Sequence, residues 1–193
     1  LPGGAVELRG GPGAWSLVLA VTGQPRAFAT DEPLRFPART RNAALTWTAV
    51  PASGISLDDL RGYAAWLDRT GRVPGARPCT SREWVRGARG ADGRMYPHGA
   101  RLMPDDANTF ETYGERDAAG PDEVGAHPAS RSPFELDDMS GNAFEWTVEG
   151  DEASARGGTW YHDVVAAQLP NWQGIDPALR DLLVGGRLCA TPR

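Results

Sequence analysis

The chain has 193 residues, enough for one domain, or one domain with an appendage, that buries roughly two-thirds of its unfolded surface without a covalent staple. Its 24 Gly and 16 Pro exceed ordinary usage and argue for a loop-rich fold over a helical bundle. A formal charge of -5 argues against a nucleic-acid partner, and no apolar run reaches the about 18 residues that a membrane span requires. All 20 Lys and Arg positions are Arg, a composition typical of a GC-rich genome.

Residues 1–45 read as β structure. Trp15 to Val21 is an apolar run, Gly23-Gln24-Pro25 a turn, and Arg26 to Thr30 a return strand. A Pro- and Arg-rich connector follows from Asp31 to Arg41. This segment is either the end of a preceding module or an extension of the main domain, which is placed at 46–193. From Ser56 the period changes to helical. Ser56 is an N-cap with Asp58 and Asp59 in the first turn; Leu57, Leu60, Tyr63, Ala64 and Leu67 share one face, and Gly71 ends it. Thr80-Ser81-Arg82-Glu83 is a capping box opening a second helix with Trp84, Val85 and Ala88, stopped at Gly90.

Residues 91–133 are polar and rich in turns, and so long a run needs something to tie it down. Buried Tyr96 and Phe110 would do so. A bound cation would too, given Asp105, Asp106, Asn108, Glu111, Glu115, Asp117, Asp122 and Glu123. Ser140-Gly141-Asn142 is a turn signal, after which Phe144, Trp146 and Val148 alternate with Glu145 and Thr147 as in a half-buried strand. Gly157-Gly158 lets the backbone bend or approach a neighbour, and Trp160 is an apolar anchor. Only two cysteines occur, Cys79 and Cys189. Such sparse use is no disulfide framework: two reduced, buried thiols are expected, with a single disulfide as the alternative. The opening at Leu1, with no signal-like segment, reads as a piece of a longer protein and places the chain by default in the cytoplasm.

These segments together resemble a known family. Gly54 to Leu67, Thr80-Ser81-Arg82-Glu83-Trp84, Arg89-Gly90, Asp92-Gly93-Arg94, Tyr96-Pro97, Asn108-Thr109, Val124-Gly125, Asp138 to Asn142, Glu145-Trp146, Arg156 to Trp160 and Gly186-Arg187 follow the motif order of formylglycine-generating-enzyme-like domains, also called sulfatase-modifying factors, over about 50–190. The resemblance implies an α+β fold of the C-type-lectin-like class: two helices on small twisted antiparallel sheets with long loops. Catalytic members hold copper with two cysteines just after the Gly-Gly motif, and soft thiolates select Cu(I). The matching positions here are His162 and Ala167. A catalytically silent member without copper is therefore expected, a recognition or regulatory module of a larger bacterial protein, such as those fused to kinase or protease domains. The alternatives are an oxidoreductase rebuilt around His162, Asp163 and His98, a retroelement-diversified ligand binder, and a structural brace.

Candidate sites follow. The family precedent places calcium at the turn: Ser140, Gly141 and Ala143 through their backbone and Glu145 through its carboxylate, an oxygen set that suits this ion. The bland reading of Glu145 is a solvated carboxylate or a partner for Arg156. A second calcium set maps to Asn108, Thr109 and Asp117. A protein or peptide ligand is expected on Tyr161, His162, Asp163, Asn171, Trp172 and Gln173 and the 96–123 loop. Trp84, Trp146 and Trp160 read as core; Trp172, in a loop with polar neighbours, reads as a binding anchor.

Overall fold

Two reciprocal caps set the helices. Ser56 accepts the Asp59 amide while Asp59 accepts the Ser56 amide, opening α1 (Leu57–Arg69). Thr80 and Glu83 do the same for α2 (Ser81–Arg89). Each pairing satisfies two amide donors that a helix start otherwise leaves free. This computed structural model describes residues 6–11, 14–19, 26–29, 32–115 and 117–191; the turn expected at Gly23-Gln24-Pro25 lies outside them. On α1, Leu57, Leu60, Ala64 and Leu67 are buried as their spacing requires. Tyr63 is not: it is 54% exposed and stacks on Trp66, ring centroids 5.6 Å apart.

The N-terminal strands β1 (Val6–Gly11), β2 (Ala14–Leu19) and β3 (Arg26–Ala29) form an antiparallel meander. A two-residue pair follows, β4 (Leu34–Arg35) on β5 (Ala44–Leu45), whose Leu34, Phe36 and Leu45 make a small core with Phe28, Trp47 and Val50. After α1 come β6 (Ala76–Pro78), α2 and the short α3 (Phe110–Tyr113). The main sheet is built from β7 (Phe144–Glu149), β8 (Glu152–Arg156), β9 (Gln173–Gly174) and β10 (Val184–Gly186), in the order β10-β7-β8-β9. Its pairings are antiparallel except for β10 on β7, which is parallel. β11 (Leu188–Ala190) pairs antiparallel with β6.

β7 departs from the half-buried strand expected. Phe144 and Trp146 pack with Leu57, Leu60, Ala155 and Val184, and the Trp146 Nε1 donates to the Ile55 carbonyl at 2.8 Å. The opposite face is buried as well: Glu145 and Thr147 are covered by α2 and β8 and satisfied by hydrogen bonds. A strand with neighbours on both edges and elements on both faces keeps its alternation but loses its wet side. The cysteines also differ from the reduced thiols expected. Cys79, just after β6, and Cys189 on β11 form a disulfide, with Cα atoms 4.9 Å apart. Pairing of β6 with β11 brings them together, a proximity that their distance in the chain does not reveal.

Candidate functional site

The turn before β7 organises the polar interior. Asp138, Gly141 and Asn142 take positive φ values of 54°, 77° and 66°. A Cβ on Gly141 would lie 2.5 Å from the Asn108 carbonyl oxygen, so only glycine lets the turn approach that strand of backbone. The Asn142 amide donates to that same carbonyl at 2.8 Å, and the Gly141 amide donates to Gly157 at 2.7 Å. Gly157 and Gly158 also have positive φ, and Gly158 passes so near residue 167 that a Cβ would meet the Ala167 Cα at 2.7 Å. The two glycine motifs are thus seams where separate loops touch.

Glu145 projects from β7 into a cage of donors. Its carboxylate accepts the Trp84 indole N–H at 2.6 Å and two Arg187 bonds at 2.8 and 2.7 Å. Arg187 donates onward to the Asp137 carbonyl at 2.8 Å, and the adjacent carboxylate holds its guanidinium above the usual range. A bidentate arginine supplies the charge balance that a cation would supply, and Arg187, not Arg156, is the partner. Calcium at Ser140, Gly141, Ala143 and Glu145 would first have to displace this arginine.

The second cluster is more deeply buried. Asp122 accepts Arg39 Nη1 at 2.9 Å and Tyr113 Oη at 2.8 Å, and sits 2.7 Å from His127 Nε2. Arg39 donates also to the Ala118 and Pro121 carbonyls, with Phe36 and Tyr113 on its faces. Burial alone would raise Asp122, but the bonds from His127, Tyr113 and Arg39 hold it below its ordinary value. His127 is lowered by burial and raised by Asp122 and the Asp105 carbonyl, and the net shift is upward. Tyr113, desolvated and beside Asp122, is pushed up to about 12. Asn142 links the cluster to Asn108, accepting its Nδ2 at 3.1 Å and the Asp122 amide at 2.9 Å. Asp117 is exposed and makes no bond to Asn108, whose Oδ1 is buried without a partner. The acidic residue at the centre of this cluster is thus Asp122, paired with Arg39, and not the Asp117 of the expected second calcium set. Among the described residues no group of three or more His, Cys, Asp or Glu is placed to hold a metal. Arg39, Tyr113 and His127 are absent from the sequence-based reading because each gains its role through contacts with distant segments.

A model of the sulfatase-modifying factor enzyme 1-like domain matches residues 29–191. The chain belongs to this family. None of the curated proteins compared with it matches. Among solved structures, Treponema denticola variable protein 1 is similar at 13% identity and TM-score 0.66, the match covering 97% of this chain and 99% of that one. PvdO from Pseudomonas aeruginosa follows at 20% identity and 0.64, covering 93% and 69%, and CarF at 19% and 0.58, covering 79% and 69%. At such identities the likeness shows the fold. In this sulfatase-modifying-factor-like domain, residues 32–45 are joined to the rest through Arg39, which reaches residues 118–122.

The six expected ligand residues divide between two places. Tyr161 stands exposed with its ring edge-on to Trp160 and to His162. His162 is half-buried, its Nδ1 2.8 Å from Thr159 Oγ1 and its ring 5.2 Å from Phe144; burial lowers its pKa despite Asp163 nearby. The Asp163 carboxylate accepts the Val165 and Ala166 amides and so serves its own turn. His98 pairs with Asp106 at 3.2 Å, so the proposed His162–Asp163–His98 set has its members engaged elsewhere. Ala167, at the second thiol position, is fully buried against Gly158. Trp172 instead lines a groove of about 1000 Å³ between α2 and the β8–β9 edge. Gln173 pairs with Ala155 in the sheet, and Asn171 turns its amide to the Ala166 carbonyl. As expected, Trp84, Trp146 and Trp160 are core, while Trp172 is 58% exposed.

Proposed function

We propose that this domain is a recognition module for a protein or peptide and does not carry out the copper-dependent oxidation of the catalytic members of its family. The single observation behind the reading is the fate of sulfur. Both cysteines of the chain are joined to each other, and the positions that match the copper thiols hold a half-buried histidine and a buried alanine. Copper(I) chemistry of the family type requires thiolate ligands, and a lone imidazole is no substitute. What the fold offers instead is an exposed tryptophan at the rim of a large groove, the kind of aromatic anchor that binding surfaces favour. Cu(I) titration against a chromophoric competitor should show no stoichiometric tight site. Tight binding that is lost in His162→Ala, or oxygen consumption with a cysteine-containing peptide, would contradict the reading.

Two further parts go with it. The disulfide favours an oxidising compartment over the cytoplasm expected from the sequence, because cytosolic thiols are kept reduced. No helix among the described residues is long and apolar enough to cross a membrane. Structural calcium is tested by chelation. With Arg187 already on Glu145, an unchanged melting temperature is expected; a fall of several degrees would argue for an ion bound to the fold by mass action.

A further inference from the structure

We propose that the groove between α2 and the β8–β9 edge binds an acidic peptide segment, Arg89 receiving a carboxylate while Trp172 flanks the neighbouring apolar side chain. The inference deepens the recognition reading and rests on it. Val85, Arg86 and Arg89 of α2 form one wall, Trp172 and Ile175 the other, and Ala153 with Ser154 of β8 the floor.

The charges of this groove are unequal in their partners. Arg82 faces Glu149 at 3.3 Å, and Asp92 is held by Arg94 at 2.7 and 2.6 Å. Arg86 donates to the Gly90 carbonyl and lies over Phe134. Asp176 accepts the Ala178 amide at 2.9 Å, and Glu152 is exposed at the hairpin end of β8. Arg86, Arg89 and Arg156 make no ion pair with a carboxylate among the described residues, although Arg89 lies near enough to Asp92, and Arg156 to Glu149, to feel the opposite charge. Arg156 is tied to neutral oxygens only: Ser81 Oγ at 2.6 Å, the Leu169 carbonyl at 3.4 Å and the Asn171 carbonyl at 3.2 Å. Arg89 has a buried Nε with no hydrogen-bond partner and stands near enough to Arg156 to act on it as a like charge. A buried Nε with its donor unused is costly, and a carboxylate is the natural complement of a guanidinium. Arg156 has a structural task, clamping the 169–171 loop to the start of α2; Arg89 has none in the bonds it makes.

The occupant follows from charge together with shape. A free inorganic anion would engage the guanidinium and leave Val85, Ile175 and Trp172 uncovered. A chain that alternates acidic and apolar side chains covers both, and the groove exceeds a single ion in volume. Since the groove is open to solvent, attraction to it should weaken with salt.

The test uses the full chain, labelled for heteronuclear NMR, and two capped pentapeptides: acetyl-Leu-Glu-Leu-Glu-Leu-amide and its Gln counterpart. The Glu peptide should shift the Trp172 indole and the Val85, Ala153 and Ile175 amides, and bind about tenfold more tightly than the Gln peptide. Arg89→Gln should abolish that preference, Arg89→Lys should keep part of it, and Trp172→Ala should weaken both peptides. Equal binding of the two peptides overturns the proposal, as does a preference untouched by Arg89→Gln in a folded variant. Should Arg89→Gln fail to fold, a Trp172→Ala variant that binds the Glu peptide as the parent does overturns it alone. Inorganic phosphate reproducing the peptide's shifts and affinity would make this a free-anion site and overturn it too. Peptide shifts confined to Tyr161 and His162 would sink the groove and leave the recognition reading standing, whereas oxidase turnover would sink that reading whatever the groove binds.

Discussion

At residue scale, a tight demand falls on Gly141. Its φ of 77° costs a side-chain-bearing residue about 1–2 kcal/mol on its own, and the Asn108 carbonyl lies where a Cβ would go. Gly150 has a comparable φ of 59° but open space around it, which makes it the internal control. Gly141→Ala should cost about 3 kcal/mol or more in a urea titration, and Gly150→Ala about 1 kcal/mol. Equal losses would mean that the contact with residue 108 is relaxed away and the turn alone matters. Ser140-Gly141-Asn142 announces a turn in the sequence, since each residue type favours one. That the turn must also touch residue 108 is invisible there, because nothing local encodes the partner.

At the scale of elements, two buried clusters of charge tie separate segments together. Glu145 on β7 ties Trp84 of α2 to Arg187, the residue that separates β10 from β11. Leaving a largely buried partner charge alone is the expensive change, so Glu145→Gln should lower stability by about 3 kcal/mol in thermal melts. A Glu145→Leu/Arg187→Met double variant, which leaves neither charge behind, should recover part of it; no recovery would show that packing and not charge carries the loss. The second pair sets a pH profile. His127 is raised above its ordinary 6.5, so its contribution is complete below that value and fades as pH climbs through the higher folded value. Asp122 is held below its ordinary 3.8, so its contribution is complete above that value and fades as pH falls through the lower folded one. Buried Asp138, raised first by desolvation, opposes Asp122 on the acid side. Stability should therefore decline above pH 6.5, and His127→Gln should flatten that alkaline limb. An unaltered limb in the variant would show that His127 is not the titrating group. Both capped helices were legible because a cap is a four-residue signal. These pairs were not, since Arg39 and Arg187 look like any other arginine until the chain folds around them.

At the scale of the molecule, the family motifs and their order made the α+β architecture readable, whereas the closing of the chain on itself was not. Cysteine count argued for reduced thiols, yet β11, near the chain's end, returns to β6 beside the helix pair and joins Cys189 to Cys79 across 110 positions. Compositional reasoning fails here because a single crosslink needs only one favourable pair of strands. That crosslink should matter for stability out of proportion to its size. A loop so long loses the entropy of a large denatured ensemble when closed, about 4–5 kcal/mol in the chain-entropy model. For a domain of this length the same figure corresponds to roughly 10–20 °C in melting temperature. Reductant should therefore lower the melting temperature by about that amount, and a Cys79→Ala/Cys189→Ala variant should melt where the reduced parent melts and ignore reductant. If parent and variant melt together in oxidising buffer, the disulfide adds nothing that the pairing of β6 with β11 does not already supply, and the case for an oxidising compartment loses its support as well.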